Sequence, residues 1–597
     1  MVLLPVLRPG FILRYDMLFV PRRYPSLALL GVAEQPPRQV PIDALVGLVS
    51  WGVPAAWLEK LLLSAVFVAG AMGAGRLVPS ARSGPRVVAG LLYVWNPFVY
   101  ERLSIGQWSL LLSYAVLPWV AKAALAIRDD DHIALLDDRL SSSTRVSPSR
   151  ARIAKWSRLG LWLGAASVAN PYGGIMAASL TLAVICRPPW RASRREGIRS
   201  MITVTGLVAV VSLPWLVPSL FRPNRLPNSA QGLQAFAPRS DSPLGTIGSV
   251  LSLGGMWNTS LAPPIRHSWA WIPSFVLLLL AAAFGWWWLR RARPTMTGVL
   301  LAGLVGTIAS IGTHVPLLGS LYHWVALNVP GGGLFRDAQK FVGLLALVYA
   351  VGLGSALVAW TGSSAQHGRV GTNVRGTRSQ GLTRSALPLA WALLTISLVP
   401  MMAWGLGGRL ATTTYPPDWT VARMIAMKDP LPGSILVLPW HPHLPLRWNG
   451  GRVTLNPARA FFTRSVLTSD RLELRSGTLP PETPTGAMAD ALVRSKIPLP
   501  TVMRELGARY LLILKEADWH RYGDRLDGLQ TVLDGRTLAL RRVTGSLDEL
   551  APVTPPASFV LTGDIVAALS LVVMAVAMLR GDPRGRRPIP SATDSSG

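Results

Sequence analysis

Runs of about twenty apolar residues, separated by short polar stretches, set the pattern of this chain. Residues 55–74 (AAWLEKLLLSAVFVAGAMGA), 269–289 (WAWIPSFVLLLLAAAFGWWWL) and 557–579 are each long enough to cross a hydrocarbon core as a helix. Continuing along the chain predicts eleven spans, near 55–74, 87–100, 107–127, 158–170, 173–186, 200–220, 269–289, 294–313, 338–360, 386–406 and 557–579. The two around 158–186 are short, and the break at Asn170-Pro171 between them suggests a half-membrane hairpin whose free backbone groups need protein or water nearby.

One long stretch breaks the pattern. In 407–556, the runs SILVLPW (434–440), ARYLLILK (508–515) and TLALRRV (537–543) read as strands, with a helical segment at 485–495 between them. This predicts a small α/β domain outside the membrane, tethered by the last span. The expected fold is therefore mainly α: a polytopic helical bundle over 55–406, a first outer loop over 1–54, an α/β domain over 407–556, a final span at 557–579 and a basic tail over 580–597.

Composition agrees. Of 597 residues, 50% are hydrophobic and only 15% charged, and mean hydropathy is +0.36; soluble domains carry about a quarter charged residues. The net charge of +29 would suit nucleic acid, but its distribution argues against that partner. Arg clusters beside apolar spans, at 75–86, 187–199, 290–293, 361–385 and 580–588, with a mixed-sign segment at 128–157. Such stretches mark cytoplasmic connections. The Gly/Ser/Arg-rich loop 361–385 reads as disordered. The remaining connections then lie outside: 1–54, 101–107, 170–174, 221–268, 314–337 and 407–556. No secretory signal precedes Pro9, so the simpler expectation is a true start further upstream, with one more span. A single cysteine, Cys186, excludes an internal disulfide and a Cys-based zinc site.

Nucleotide-binding and metalloprotease signatures are absent from the sequence. The polar residues at outer span ends are the informative ones. Asp16, in LRYDMLFVPRR, is a carboxylate able to accept a proton from a hydroxyl; its plainer reading is a loop acid paired with Arg22 or Arg23. In WNPFVYERLSIGQW, Glu101, Arg102 and Gln107 sit at a turn where polar groups need partners. Arg102 suits a phosphate and Gln107 a sugar; alternatively, Glu101 and Arg102 anchor the interface while Asn96 caps a helix. In NVPGGGLFRDAQKF, Arg336, Asp337 and Lys340 open an apolar span, suiting a phosphate head group, or else an N-cap by Asp337 with snorkelling cations. Trp257 and Asn258, in a stretch (246–260) expected to be re-entrant or interfacial, suit stacking and hydrogen bonding to a sugar ring. His267 and His314 are too isolated for a metal site.

Together LRYDMLFVPRR, WNPFVYERLSIGQW, LGGMWN and FRDAQKF resemble actinobacterial multi-span envelope proteins of the GT-C glycosyltransferase type, over most of the chain. The resemblance implies transfer of a sugar from a polyprenyl-phosphate donor to an envelope glycan or lipoglycan on the outer face of the plasma membrane. It assigns the base role to Asp16, phosphate contacts to Arg102, Arg336 and Lys340, and a second acid, positioning acceptor or metal, to Asp337. No cofactor is expected beyond the lipid-linked donor, with a divalent metal allowed. The chain departs from that pattern in the span expected before the first outer loop, and in carrying one acid where some members carry a pair. Two rival readings stand beside it. A transporter or flippase of lipid-linked glycan predicts ionisable residues deep in several spans or paired broken segments; only Lys60 and the Asn170-Pro171 break qualify. A non-catalytic envelope-assembly scaffold predicts that Asp16, Arg336 and Asp337 can be neutralised without loss.

Overall fold

The computed structural model describes residues 1–137, 148–186, 194–221, 230–329, 332–362, 378–474, 477–516 and 518–581. The helix Val342–Thr361 is its axis. Its sequence is apolar on every side, as a helix enclosed by others must be, and it is buried throughout except at Ala359 and Trp360 near its end. Ile272–Ala292 lies against it closely. A Cβ on Gly285 would sit 1.8 Å from the Gly352 carbonyl oxygen, so glycine is what lets these two backbones touch. At the rim, Ala557–Gly581 is only 17% buried over its apolar window and presents Leu569, Val573 and Leu579 outward, as lipid contact requires.

Among the described residues seven helices are long and apolar enough to span a membrane, or eight if Ala386–Ser397 and Pro400–Gly407, bent by 82°, count as one. The expected number was eleven, and the difference has local causes. Residues 87–100 fall on two short helices, Ser83–Val94 and Pro97–Ser104, broken where Asn96 caps the second by accepting from Val99 N–H. Residues 158–170 belong to the longer helix Pro148–Ala169, whose first turns carry Arg150, Arg152, Lys155 and Arg158. Pro171–Ile185 has only 15 residues. The break at 170 is present, but the arm before it is too long for a half-membrane hairpin. Part of the loop expected to be disordered is helical, since Arg378–Ser397 begins inside it; 363–377 and most of the basic tail, 582–597, lie outside the described residues.

The Arg-rich connections gather at one end of the bundle. Arg82 donates to Thr361 O, Arg128 donates to Ile185 O, and Gly581 packs on Arg150 and Ala154. The opposite end carries the first loop and the α/β domain.

That domain has a five-stranded sheet in the order β4-β1-β7-β9-β8, built from β1 (Ser434–Leu438), β4 (Val466–Leu467), β7 (Ala508–Leu514), β8 (Gln530–Asp534) and β9 (Leu538–Arg542). Strands β4, β1 and β7 are parallel, while β9 and β8 run antiparallel. The central strands are continuous apolar runs because both faces are covered: Trp419, Phe461 and Phe462 on one side, Val493, Val502 and Met503 on the other. The three strand runs and the 485–495 helix read from the sequence are all present. Two ribbons project from the sheet, β2 (His443–Pro445) with β3 (Val453–Leu455), and β5 (Glu473–Leu474) with β6 (Gly477–Thr478). The first of these reaches the opening loop, where Tyr15 bridges Thr454.

Candidate functional site

Asp16 sits at the tip of a tight reversal. Arg14 and Met17 exchange backbone hydrogen bonds (3.1 and 2.9 Å) around Tyr15, which is held at φ 45°. A bulky residue in that region carries strain, and neighbouring backbone groups hold it there. Tyr15 N–H donates to Val453 O, Leu455 N–H donates to Tyr15 O, and Asp16 N–H donates to Ile105 O at 3.1 Å. The turn is thus bonded to the outer domain on one side and to the bundle on the other. Gly106, at φ 78°, makes the bundle side possible: a Cβ there would lie 2.2 Å from Arg14 O.

The Asp16 carboxylate is 37% exposed, and His443 Nε2 stands 3.6 Å from its Oδ1. Pairing with the neighbouring arginines is not what the fold provides. Arg23 bonds Asp43 at 2.9 Å, and Arg22 lies over the Trp51 ring.

Asp337 has the opposite environment. It interrupts the 3-10 segment Gly332–Phe341 with φ −104° and ψ 61°, so it does not cap the helix that follows. Its Oδ2 accepts from Lys340 Nζ at 3.0 Å and from Arg102 Nη1 at 3.4 Å. Lys340 also lies 3.8 Å from the centre of the Tyr172 ring. That ring is in place because Asn170 caps the helix Pro171–Ile185, accepting from Tyr172 N–H.

Arg336 has another carboxylate. Glu482, from the outer domain, receives Arg336 Nη2 at 3.5 Å and a shorter bond from Arg38 of the first loop. Burial alone would raise the Glu482 carboxyl; Arg38 and Arg336 hold it below the usual glutamate range. Arg336 further lies over Phe236, whose ring meets Trp257 edge to face at 5.0 Å. Arg38 and Glu482 went unread in the sequence, being 444 positions apart in Pro-rich loops with no shared motif.

A cavity of about 1720 Å³ lies between bundle and outer domain, and it gathers most of these groups. Asp16, Gln107, Trp257, Asn258, Arg336, Asp337 and Lys340 all line it. Glu101 and Arg102 stand behind the wall, both fully buried. Arg102 donates to Gln107 Oε1 at 3.0 Å as well as to Asp337, so it supports two lining residues from behind instead of facing a ligand. Glu101 accepts from Gln339, which also donates to Gly254 O, and beside it Asp241 and Arg266 form a buried pair at 2.8 Å. That cluster fastens the 239–266 loop to the base of the cavity. The 246–260 stretch is a short helix, Gly245–Leu251, and a turn held by Tyr349 OH, which donates to Leu251 O.

A divalent metal fits this donor set poorly. Among the described residues no three His, Cys, Asp or Glu side chains are grouped so that they could hold a metal ion, and the Asp337 oxygen aimed at the cations already serves two of them. The cavity thus offers an accessible carboxylate, Asp16, and two lining cations, Arg336 and Lys340, each held by a carboxylate.

A solved structure shares this architecture. The arabinofuranosyltransferase AftD from Mycobacteria matches 91% of this chain with a TM-score of 0.55 at 17% identity. The match covers 39% of the AftD chain, so the present chain spans well under half of that protein's length. ArnT from Cupriavidus metallidurans matches 91% of this chain and 95% of its own at 13% identity, with a TM-score of 0.41, too loose to bear on the fold. Neither a protein-family model nor a curated protein matches the chain. The resemblance to GT-C type membrane proteins therefore holds at the level of the fold.

Proposed function

We propose that the chain is a membrane glycosyltransferase that moves a sugar from a polyprenyl-phosphate donor to an envelope glycan or lipoglycan in the cavity under the outer domain. The observation that carries this reading is the pairing of one accessible carboxylate, Asp16, with Lys340 and Arg336 lining the same space. In the reaction, Asp16 takes the proton from an acceptor hydroxyl as its oxygen bonds the anomeric carbon. The bond from that carbon to the donor phosphate breaks, and its electrons stay on the phosphate. Lys340 and Arg336 stabilise that charge as it forms. Trp257 and Asn258 line the wall where a sugar ring would stack and hydrogen-bond.

Sidedness follows from the charge pattern. With the Arg-rich end in the cytoplasm, cavity and outer domain face outward, where a lipid-linked sugar is presented without any nucleotide. AftD is named an arabinofuranosyltransferase, which makes a pentofuranosyl donor the first to try.

The test uses a deletion strain restored with wild type or Asp16→Asn at matched protein levels. Its membranes are assayed for transfer from radiolabelled polyprenyl-phosphate sugars. Transfer by wild type and its loss in the variant are expected; equal transfer removes Asp16 from the chemistry. One observation favours the scaffold reading instead: Arg336 and Lys340 are each already paired with a carboxylate. No transfer from either membrane, with normal envelope assembly in both strains, would decide for it.

A further inference from the structure

On the bundle side and in the first loop, Lys340 is ion-paired with Asp337, Arg336 and Arg38 with Glu482, and Arg23 with Asp43. On the outer-domain side, Arg459 lines the cavity; its Nη2 donates to the Thr468 hydroxyl at 3.1 Å, and Asp470 and Glu34 are its charged neighbours. Near it is Asn456, only 3% exposed yet lining the cavity. The Asn456 Oδ1 is used locally, accepting from Ala458 N–H at 3.1 Å, while Nδ2 has no partner among the described residues. A buried amide donor left open is destabilising unless something binds it.

Position ties these groups to Asp16. Leu455, which donates its N–H to Tyr15 O, is the residue before Asn456. His443 pairs with Leu455 across the β2–β3 ribbon and is the group 3.6 Å from Asp16. His443, Asn456 and Arg459 therefore line one continuous edge leading away from the base. We propose that this edge seats the acceptor, a neutral hydroxyl-bearing glycan whose terminal hydroxyl lies against Asp16. This deepens the transferase reading above and rests on it. A neutral, hydroxyl-rich chain matches both kinds of group there: Asn456 and Arg459 present donors to hydroxyl oxygens, and Asp16, Asp470 and Glu473, lining the same cavity, accept from hydroxyls. The two substrates then lie on opposite walls, the donor phosphate at the bundle floor and the acceptor along the outer-domain edge.

The test is binding to the purified full-length chain, read by saturation-transfer NMR, with neutral arabinofuranosyl and mannopyranosyl hexasaccharides and a galacturonate hexasaccharide as probes. Asn456→Asp keeps the oxygen that holds Ala458 and removes the open donor; Arg459→Gln removes the charge. At least one neutral hexasaccharide should bind wild type. Each edge variant should bind it at least tenfold more weakly, with donor affinity unchanged. Failure of both neutral probes, preference for galacturonate, or wild-type affinity in both edge variants overturns the proposal. Binding that follows the expected pattern without any transfer from polyprenyl-phosphate sugars leaves the seat standing and removes the transferase reading.

Discussion

The turn at residues 14–17 and the segment Gly332–Phe341 each bring one carboxylate to the same cavity, and they treat it in opposite ways. The turn is bonded through its backbone to bundle and outer domain, so Asp16 is fixed in place while its oxygens stay accessible. The segment leaves Asp337 7% exposed and engages it through its side chain with Arg102 and Lys340. A carboxylate held by its backbone is free to take a proton. One held by two cations is committed to neutralising and aiming them, and a proton on it would cost those contacts. In the proposed reaction, Asp16 is the reacting acid and Asp337 the positioning one.

That division predicts how variants differ. Asp16→Asn should lower transfer by about 10²- to 10⁴-fold while leaving thermal unfolding of the solubilised protein unchanged; a fall in stability of similar weight would mean the side chain is structural. Asp337→Ala should do the reverse first, destabilising by about 3–5 kcal/mol because Arg102 is left buried and short of a partner, as chemical denaturation would read. Gly106→Ala attacks the turn without touching its acid. It should cost about 2 kcal/mol and lower transfer along with stability, since Arg14 and Met17 must move.

The smallest effect concerns Glu482. Its folded pKa is depressed by Arg38 and Arg336 after burial is overcome, so its stabilisation is present above the ordinary glutamate value of about 4.3 and is lost as pH falls through the lower folded value. Glu482→Gln should reduce stability at pH 7 by about 1 kcal/mol, allowing for solvent on the Arg38 side. The difference from wild type should shrink in unfolding curves taken towards pH 3; a gap independent of pH would deny the ion pair its role.

How far the sequence disclosed this depended on whether the cause was local. Apolar runs identified Val342–Thr361 and the strands β1, β7 and β9, because burial on all sides leaves a continuous signature. Asn96 was legible as a cap since its partner is three residues away. Length misled at 87–100 and 158–170, where broken or charged helices pack within the bundle without a full apolar window. The site divided in the same manner. Residue type and sidedness selected Asp16, Arg336 and Lys340, yet Arg102 and Glu101 proved to lie behind the wall, because depth is set by packing between distant segments. Arg38, Glu482, Asn456 and Arg459 went unread, as nothing in their own stretches marks them and only the folded chain brings them to the cavity.

The most direct measurement compares donor affinity with single-turnover transfer for Asp16→Asn and Asp337→Asn, using one labelled polyprenyl-phosphate sugar. Asp16→Asn should bind the donor as wild type does and fail to turn it over, whereas Asp337→Asn should bind it with altered affinity because Lys340 and Arg102 are released. Retained turnover in Asp16→Asn, together with lost turnover at unchanged donor affinity in Asp337→Asn, would contradict the division and make Asp337 the reacting acid.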